Sequence, residues 1–256
     1  MKGNVVTVSV ISHGQAGLVQ DLLRDLQGAD GIGLVVLTHN LADDELAYQG
    51  ASSQQCLQLH NPHPKGFGAN HNAAFSHCAS EWFAVVNPDI RLAGDVFAQL
   101  SAIARPEDVL LAPALVDPHT WQVAPNRGLP TPWEIVRRRL PGWRPAAEPA
   151  WFPGAFLLIR TAAFRQIGGF DERFYLYAED VDLCARLRLA GGHLRYVPQA
   201  QVSHAAQRSS HVRWRYLRWH VMSLLRLWSR RSFWRCRALL RAQARAALCA
   251  NPQHPR

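Results

Sequence analysis

Apolar residues recur along the chain with two periods. Residues 5–11, VVTVSVI, are largely β-branched, as in a strand. Over 16–27, Leu18, Val19, Leu22, Leu23 and Leu26 fall on one helical face, with Asp21, Arg24 and Asp25 opposite; Gly28 and Gly31 end the helix. The apolar run 32–38 returns to a strand, so the chain opens β-α-β, which favours parallel pairing through a right-handed crossover. A short strand over 56–59 and a helix over 69–78 follow. Residues 82–86, WFAVV, are an unbroken apolar run, as in a central parallel strand covered on both faces. Asp95 caps a helix reaching 103, and 109–115 is another strand. Over 117–150 the periodicity fails: the stretch is rich in proline, carries three tryptophans and runs Arg137-Arg138-Arg139. It reads as a long irregular excursion with a short helix near 132–140, a length uncommon unless functional. A strand over 154–160, helices over 161–167 and 178–190, and strands over 193–197 and 200–204 complete the pattern. The fold class is α/β, a mainly parallel central sheet flanked by helices.

The 256 residues, 48% hydrophobic and 18% charged, suffice for a sizeable core. Five cysteines without a CxxC pair suggest neither a disulfide framework nor a zinc finger. The opening residues look like a strand rather than a leader, and no apolar run reaches the length of a membrane span. A reducing cytoplasm is the expected setting. The net charge of +9 is unevenly spread: residues 205–256 hold 12 of the 28 Lys and Arg and none of the 19 Asp and Glu, leaving 16 against 19 in residues 1–204. Two units are expected, 1–204 and a basic, Trp/Arg-rich helical tail over 205–256.

In open α/β sheets, ligands bind beyond the C-terminal ends of the strands. That singles out Ser12-His13, Thr38-His39-Asn40, Asn87-Pro88-Asp89 and His204. Pro88 stops a strand and leaves Asp89 at the sheet edge. The tripeptide is either a simple turn, since all three residues are turn formers, or part of a site for a hard divalent cation. Glu179, Asp180 and Asp182 crowd one helix start, where carboxylates either serve the helix N-terminus or supply a general base. GFGANHNAAF, with Gly66 and Gly68 leading into a helix, could receive phosphate, or its asparagines could cap. It is neither a dinucleotide fingerprint nor a Walker loop. A lone His204 is ordinarily a hydrogen-bonded surface residue.

The ordered set KGFGANHNAAF, AVVNPDIRL, PGAFLLIRTAAFRQIGGFDERFYLYAEDVDLCARLRLAGG and YVPQAQVSH resembles the family 2 glycosyltransferases of the GT-A (nucleotide-diphospho-sugar transferase) fold, on the bacterial rhamnosyltransferase-like branch. The resemblance covers about residues 5 to 204. It implies that Asp89 binds a divalent metal, Mg²⁺ or Mn²⁺, with His204 completing the site. Asp180 matches the general base, with Glu179 beside it. Donor contacts would come from Ser12, His13, His39, Asn40, Lys65, Gly66, Phe67, Gly68, Asn72 and Asn87. Gly154, Asp171 and Glu172 would shape the acceptor side, with 117–150 as a lid. The implied reaction is a single inverting displacement, moving a rhamnosyl or other hexosyl group from a dTDP- or UDP-sugar to a glycan or lipid-linked acceptor. The family commonly has Asp-Asn where this chain has His39-Asn40, and a first Asp where it has Asn87. These departures motivate an alternative, a degenerate GT-A domain acting as a membrane-associated scaffold.

The tail alternates arginine with tryptophan and leucine at helical spacing. It reads either as an amphipathic helix on an anionic membrane or as a helix packed on the catalytic domain with a solvated basic face. No nucleic-acid partner is expected, since the motif set implies glycan chemistry.

Overall fold

The computed structural model describes residues 6–41, 55–205 and 214–250. Val5 of the first expected strand and tail residues 206–213 and 251–256 lie outside them. In chain order the elements are β1 (Val6–Ser12), α1 (Ala16–Gln27), β2 (Ile32–His39), β3 (Gln55–His60), α2 (Phe67–Phe75), β4 (Trp82–Val86), β5 (Ile90–Leu92), α3 (Val96–Ala102), β6 (Asp108–Val116), α4 (Pro132–Arg137), β7 (Phe156–Arg160), α5 (Thr161–Gln166), α6 (Glu179–Leu189), β8 (His193–His204), α7 (Trp214–Trp228) and α8 (Arg231–Ala250).

The strands form one sheet in the order β3-β2-β1-β4-β7-β6-β8-β5. The unbroken run of β4 lies in its middle and faces two cores. Trp82, Ala84 and Val86 pack with the leucines of α1 and with Phe97 and Leu100 of α3. Phe83 and Val85 point the other way, among Phe164, Phe170, Phe174 and Leu183. This period-two split is what a strand covered on both faces requires. Complete burial of a large apolar side chain such as Phe83 contributes about 1.5–3 kcal/mol.

The α/β layering is as expected, but the sheet is more mixed than the sequence suggests. β7 runs antiparallel to both of its neighbours, β4 and β6. The apolar run FLLIR reads alike in either direction; its direction is set by the 117–150 excursion, which returns the chain to the end of the sheet where β6 finishes. The expected strands at 193–197 and 200–204 are one strand, β8, with a register irregularity beside β6 between Pro113 and Ala114. The three-residue β5 was not foreseen; it pairs antiparallel with the end of β8, Ile90 opposite His204. α4 falls where a short helix was expected, with the Thr131 hydroxyl accepting from the Glu134 amide and Pro132 in the first turn.

The tail helices pack on the α/β layers. Leu227 and Phe233 are fully buried in the same core as Phe83, and Cys236 is buried as well. Polar contacts fix them further: the Ser223 hydroxyl donates to the Leu176 carbonyl at 2.8 Å, and Trp228 Nε1 to the Pro130 carbonyl at 2.9 Å. Arg230 pairs with Asp171, and Arg226 donates to the Arg173 carbonyl.

Candidate active site

Two cavities open beyond the sheet on either side of residues 175–180. The larger, about 740 Å³, is lined by His13, Asn40, Lys65, Phe67, Asn87 and Asp89, with Tyr175, Tyr216 and Trp219 at its wall. The smaller, about 420 Å³, is lined by Glu179 and Asp180, by Arg127, Arg138 and Arg139, and by His220 and Leu224 of α7.

At the larger cavity the Asn87-Pro88-Asp89 stretch is a turn, closed by the Ile90 amide donating to the Asn87 carbonyl at 3.2 Å. The Asn87 amide is held by the Ala155 carbonyl at 2.9 Å. The pairing of β5 with β8 then brings Asp89 Oδ2 to 3.4 Å from His204 Nε2. Asp89 Oδ1 is buried without a hydrogen-bond partner. Buried carboxylate oxygens are normally satisfied, so this oxygen suits a ligand that brings its own positive charge. Asp89, His204 and Asn87 therefore fit a hard divalent cation in donor chemistry. Among the described residues no group of three or more His, Cys, Asp or Glu could hold an ion, so further oxygens would have to come from the bound substrate.

The floor of this cavity is an asparagine network. Asn40 Oδ1 accepts from the Lys65 amide (2.9 Å) and from Asn61 Nδ2 (2.8 Å), and Asn61 also donates to Asn70 Oδ1 (2.6 Å). Asn70 in turn donates to the Lys65 and Gly66 carbonyls. Asn40 Nδ2 lies 3.1 Å from His13 Nδ1. Asn61 had no local signature in the sequence, and Asn70 was read there only as a possible cap, yet the two hold the loop that presents Lys65. Nearby, His71 is wholly buried with Nδ1 at 2.8 Å from Ser9 Oγ, and burial pushes its pKa down to about 3, so it stays neutral.

Other expected donor residues lie elsewhere. His39 is buried; its Nε2 lies 2.9 Å from Gln58 Oε1 and its ring stacks on His60. It braces β2 against β3 and does not line the cavity. Ser12 is buried at the end of β1, and its carbonyl accepts from the Asn40 amide. Gly66 and Gly68 serve close approach. A Cβ on Gly66 would meet the Tyr175 carbonyl oxygen at 2.7 Å, and one on Gly68 would meet Phe170 Cβ at 2.7 Å. Asn72 holds the same 170–175 loop, accepting from the Phe170 amide and donating to its carbonyl and to Glu172 Oε1.

At the smaller cavity, Asp180 Oδ2 accepts from the Gly154 amide at 3.1 Å and Oδ1 from the Val181 amide at 2.8 Å. Gly154 has Phe67 against it, with Cζ 3.0 Å from a built Cβ, which fits the close seating of its amide on Asp180. The helix start is not side-chain capped: Ala178, the preceding residue, is left-handed (φ +64°), as is Tyr177 (φ +71°). Two successive non-glycine residues in that region are strained, and such strain clusters at functional sites. Asp182 points away and pairs with Arg186 at 2.7 Å. Burial first, and then the neighbouring Asp180 charge, raise the Glu179 carboxyl well above the carboxylate range, and its Oε2 has no partner. Asp180 is also raised by burial, but the two amides and Arg127 favour its charged form. Of the pair, Asp180 is the one equipped to ionise.

Asp171 and Glu172 are not part of this cavity. Asp171 is engaged by Arg173 and Arg230, and Glu172 by Asn72, so this turn ties the tail to the α/β layers. Arg127, Tyr175, Trp219 and His220, which the sequence did not single out, are the cavity-lining residues gained. Their only sequence signal was position within the excursion, the acidic segment and the aromatic-rich tail.

Residues 143–251 match the family described as glycosyl transferase family group 2. A stretch of 146 residues is 38% identical to N-acetylglucosaminyl-diphospho-decaprenol L-rhamnosyltransferase of Mycobacterium tuberculosis (strain CDC 1551 / Oshkosh), covering 48% of this chain and 47% of that protein. The chain thus spans about half the length of that relative. Rhamnosyltransferase WbbL of Escherichia coli (strain K12) is 26% identical over 251 residues, 89% of this chain and 94% of that protein. Mannosyltransferase PcManGT from Pyrobaculum calidifontis, solved in complex with GDP-Man and Mn²⁺, superposes with a TM-score of 0.60 at 17% identity, covering 96% of this chain and 79% of that one. At that identity the likeness carries the fold alone. Together, these matches and the ordered motifs show the GT-A fold and make the chain similar to the family 2 glycosyltransferases, the rhamnosyltransferases among them.

Proposed function

We propose that this chain moves a rhamnosyl or other hexosyl group from a dTDP- or UDP-sugar to a hydroxyl of a lipid-linked or cell-surface glycan, by a single displacement that inverts the anomeric centre. The observation that carries this reading is the pair of carboxylates at the smaller cavity, of which Asp180 has the Gly154 and Val181 amides and Arg127 to stabilise its charge. In the proposed reaction Asp180 takes the proton of the acceptor hydroxyl as that oxygen bonds to the anomeric carbon. The bond from that carbon to the donor diphosphate breaks on the opposite face, and the nucleoside diphosphate leaves. Glu179 keeps its proton and adds no second charge beside the base. The donor would lie in the larger cavity, its diphosphate toward Lys65 and Asp89. Asp89 and His204, with Asn87 beside them, would hold Mg²⁺ or Mn²⁺, which supplies charge neutralisation to the leaving diphosphate when bound. A lipid-linked acceptor is supported by the printed name of the mycobacterial relative. The apolar stripe of α7 (Leu217, Val221 and Leu225, each half exposed) suits a helix lying on an anionic bilayer.

The test is transfer from a panel of nucleotide sugars by the purified chain. Asp180→Asn is expected to lower kcat by about 10²–10⁴-fold with the fold intact, the usual range for loss of a general base. Asp89→Ala should also abolish transfer. Full activity of Asp180→Asn sinks the base assignment. Calorimetry with Mn²⁺ or Mg²⁺ and nucleoside diphosphates separates the enzyme from a degenerate GT-A scaffold, which would bind neither.

A further inference from the structure

Arg127 is an arginine without a carboxylate. It is partly buried, its guanidinium lies over the Trp151 ring at 5.3 Å, and among the described residues it forms no ion pair. Burial and the nearby Arg138 both work against its charge, and only Asp180 favours it. Arg138 is half engaged, giving Nη2 to the Gly128 carbonyl at 2.9 Å and Nε to Glu134 at 3.4 Å. The Arg139 side chain gives Nη1 to the Ile135 carbonyl at 3.3 Å, and among the described residues it forms no ion pair. All three line the 420 Å³ cavity that holds Asp180. Desolvating an unpaired cation is costly unless an anion arrives to meet it. Guanidinium groups converging from two segments match a phosphate oxygen fork better than a neutral sugar.

The flanks of the cavity carry the second observation. α4, which lends Ile135 to the lining, exposes Trp133 and Val136, with Leu140 exposed just after it, and α7, which lends His220 and Leu224, exposes Leu217, Val221 and Leu225. A ligand with an anionic group among the arginines and a long apolar chain leaving between the two helices meets both features.

We infer that Arg127, Arg138 and Arg139 form the site for the diphosphate of a prenyl-linked acceptor, presenting the acceptor hydroxyl to Asp180. This rests on the proposed transferase reading, whose lipid-linked acceptor it takes up, and adds the three residues that would hold that acceptor. The 117–150 excursion is then one wall of a phosphate site as well as a cover.

Calorimetry with farnesyl diphosphate, in EDTA so that the metal site plays no part, tests it on the full chain. Wild type is expected to bind. Arg127→Gln and the exposed Arg139→Gln should each weaken binding roughly tenfold to a hundredfold, as loss of charge-assisted hydrogen bonds does. Asp89→Asn, at the other cavity, should retain it. Farnesol should not bind comparably. No binding by wild type, equal binding by both arginine variants, or loss in Asp89→Asn overturns the proposal. If farnesyl diphosphate binds as stated but no nucleotide sugar is used, the phosphate site stands and the transferase reading falls. If sugar reaches a phosphate-free acceptor as fast as a diphosphate-bearing one, the transferase reading stands and this site falls.

Discussion

Asp180 accepts hydrogen bonds from the Gly154 and Val181 amides, whereas Glu179 Oε2, one residue earlier, is buried with none. The asymmetry makes two predictions. Glu179 has its folded pKa raised, so its contribution to stability is full below the ordinary carboxylate range and is lost as pH rises through the folded value. Wild-type thermal midpoints should therefore fall with rising pH, and Glu179→Gln should flatten that dependence. For activity, kcat/KM should climb with pH as Asp180 ionises; that limb persists in Glu179→Gln. A limb that disappears in Glu179→Gln would reassign the base. The glycines give a steric prediction. Gly68→Ala drives a Cβ to 2.7 Å from Phe170 Cβ, an overpacking expected to cost about 1–3 kcal/mol in urea denaturation. The sequence could nominate Asp89, Asp180 and the glycines because each stands in a short contiguous motif. It could not separate a phosphate cradle from a close contact at Gly66 and Gly68, because the contacting residues, Tyr175 and Phe170, lie over a hundred positions away.

Among the elements, β1 was legible from its β-branched residues, and β2 and β4 from their apolar runs. β5 was not, since three residues carry no periodicity, yet its register opposite β8 is what sets Asp89 beside His204. The direction of β7 was likewise hidden, because it depends on a connection rather than on the strand itself. For the tail, periodicity allowed either a free amphipathic helix or a packed one. The structure gives Phe233 no exposure at all. Phe233→Ala is expected to cost about 3–5 kcal/mol by leaving a cavity, measurable by chemical denaturation; a cost below about 1 kcal/mol would mean that α8 adds little to the fold.

At the scale of the whole molecule, removing 205–256 would take Leu227 and Phe233 out of the core they share with Phe83 and uncover it. The informative membrane experiment therefore keeps the full chain and changes its surface. Among the described residues no helix is long and apolar enough to cross a bilayer, so any contact made by these helices is with the interface. Vesicles with anionic lipid should float the wild-type protein, less so at high salt. Leu217→Glu with Leu225→Glu should reduce flotation at least about tenfold. Unchanged flotation would remove α7 from the contact.

α7 is also a party wall. Tyr216 and Trp219 face one cavity, and His220 and Leu224, on the next stretch of the same helix, face the other. Recombination between relatives that imports this helix carries furniture for both rooms at once. In a panel of α7 chimeras, preferences for the two ligands should therefore shift together, and independent reprogramming would have to come from Arg127 on one side and Lys65 on the other.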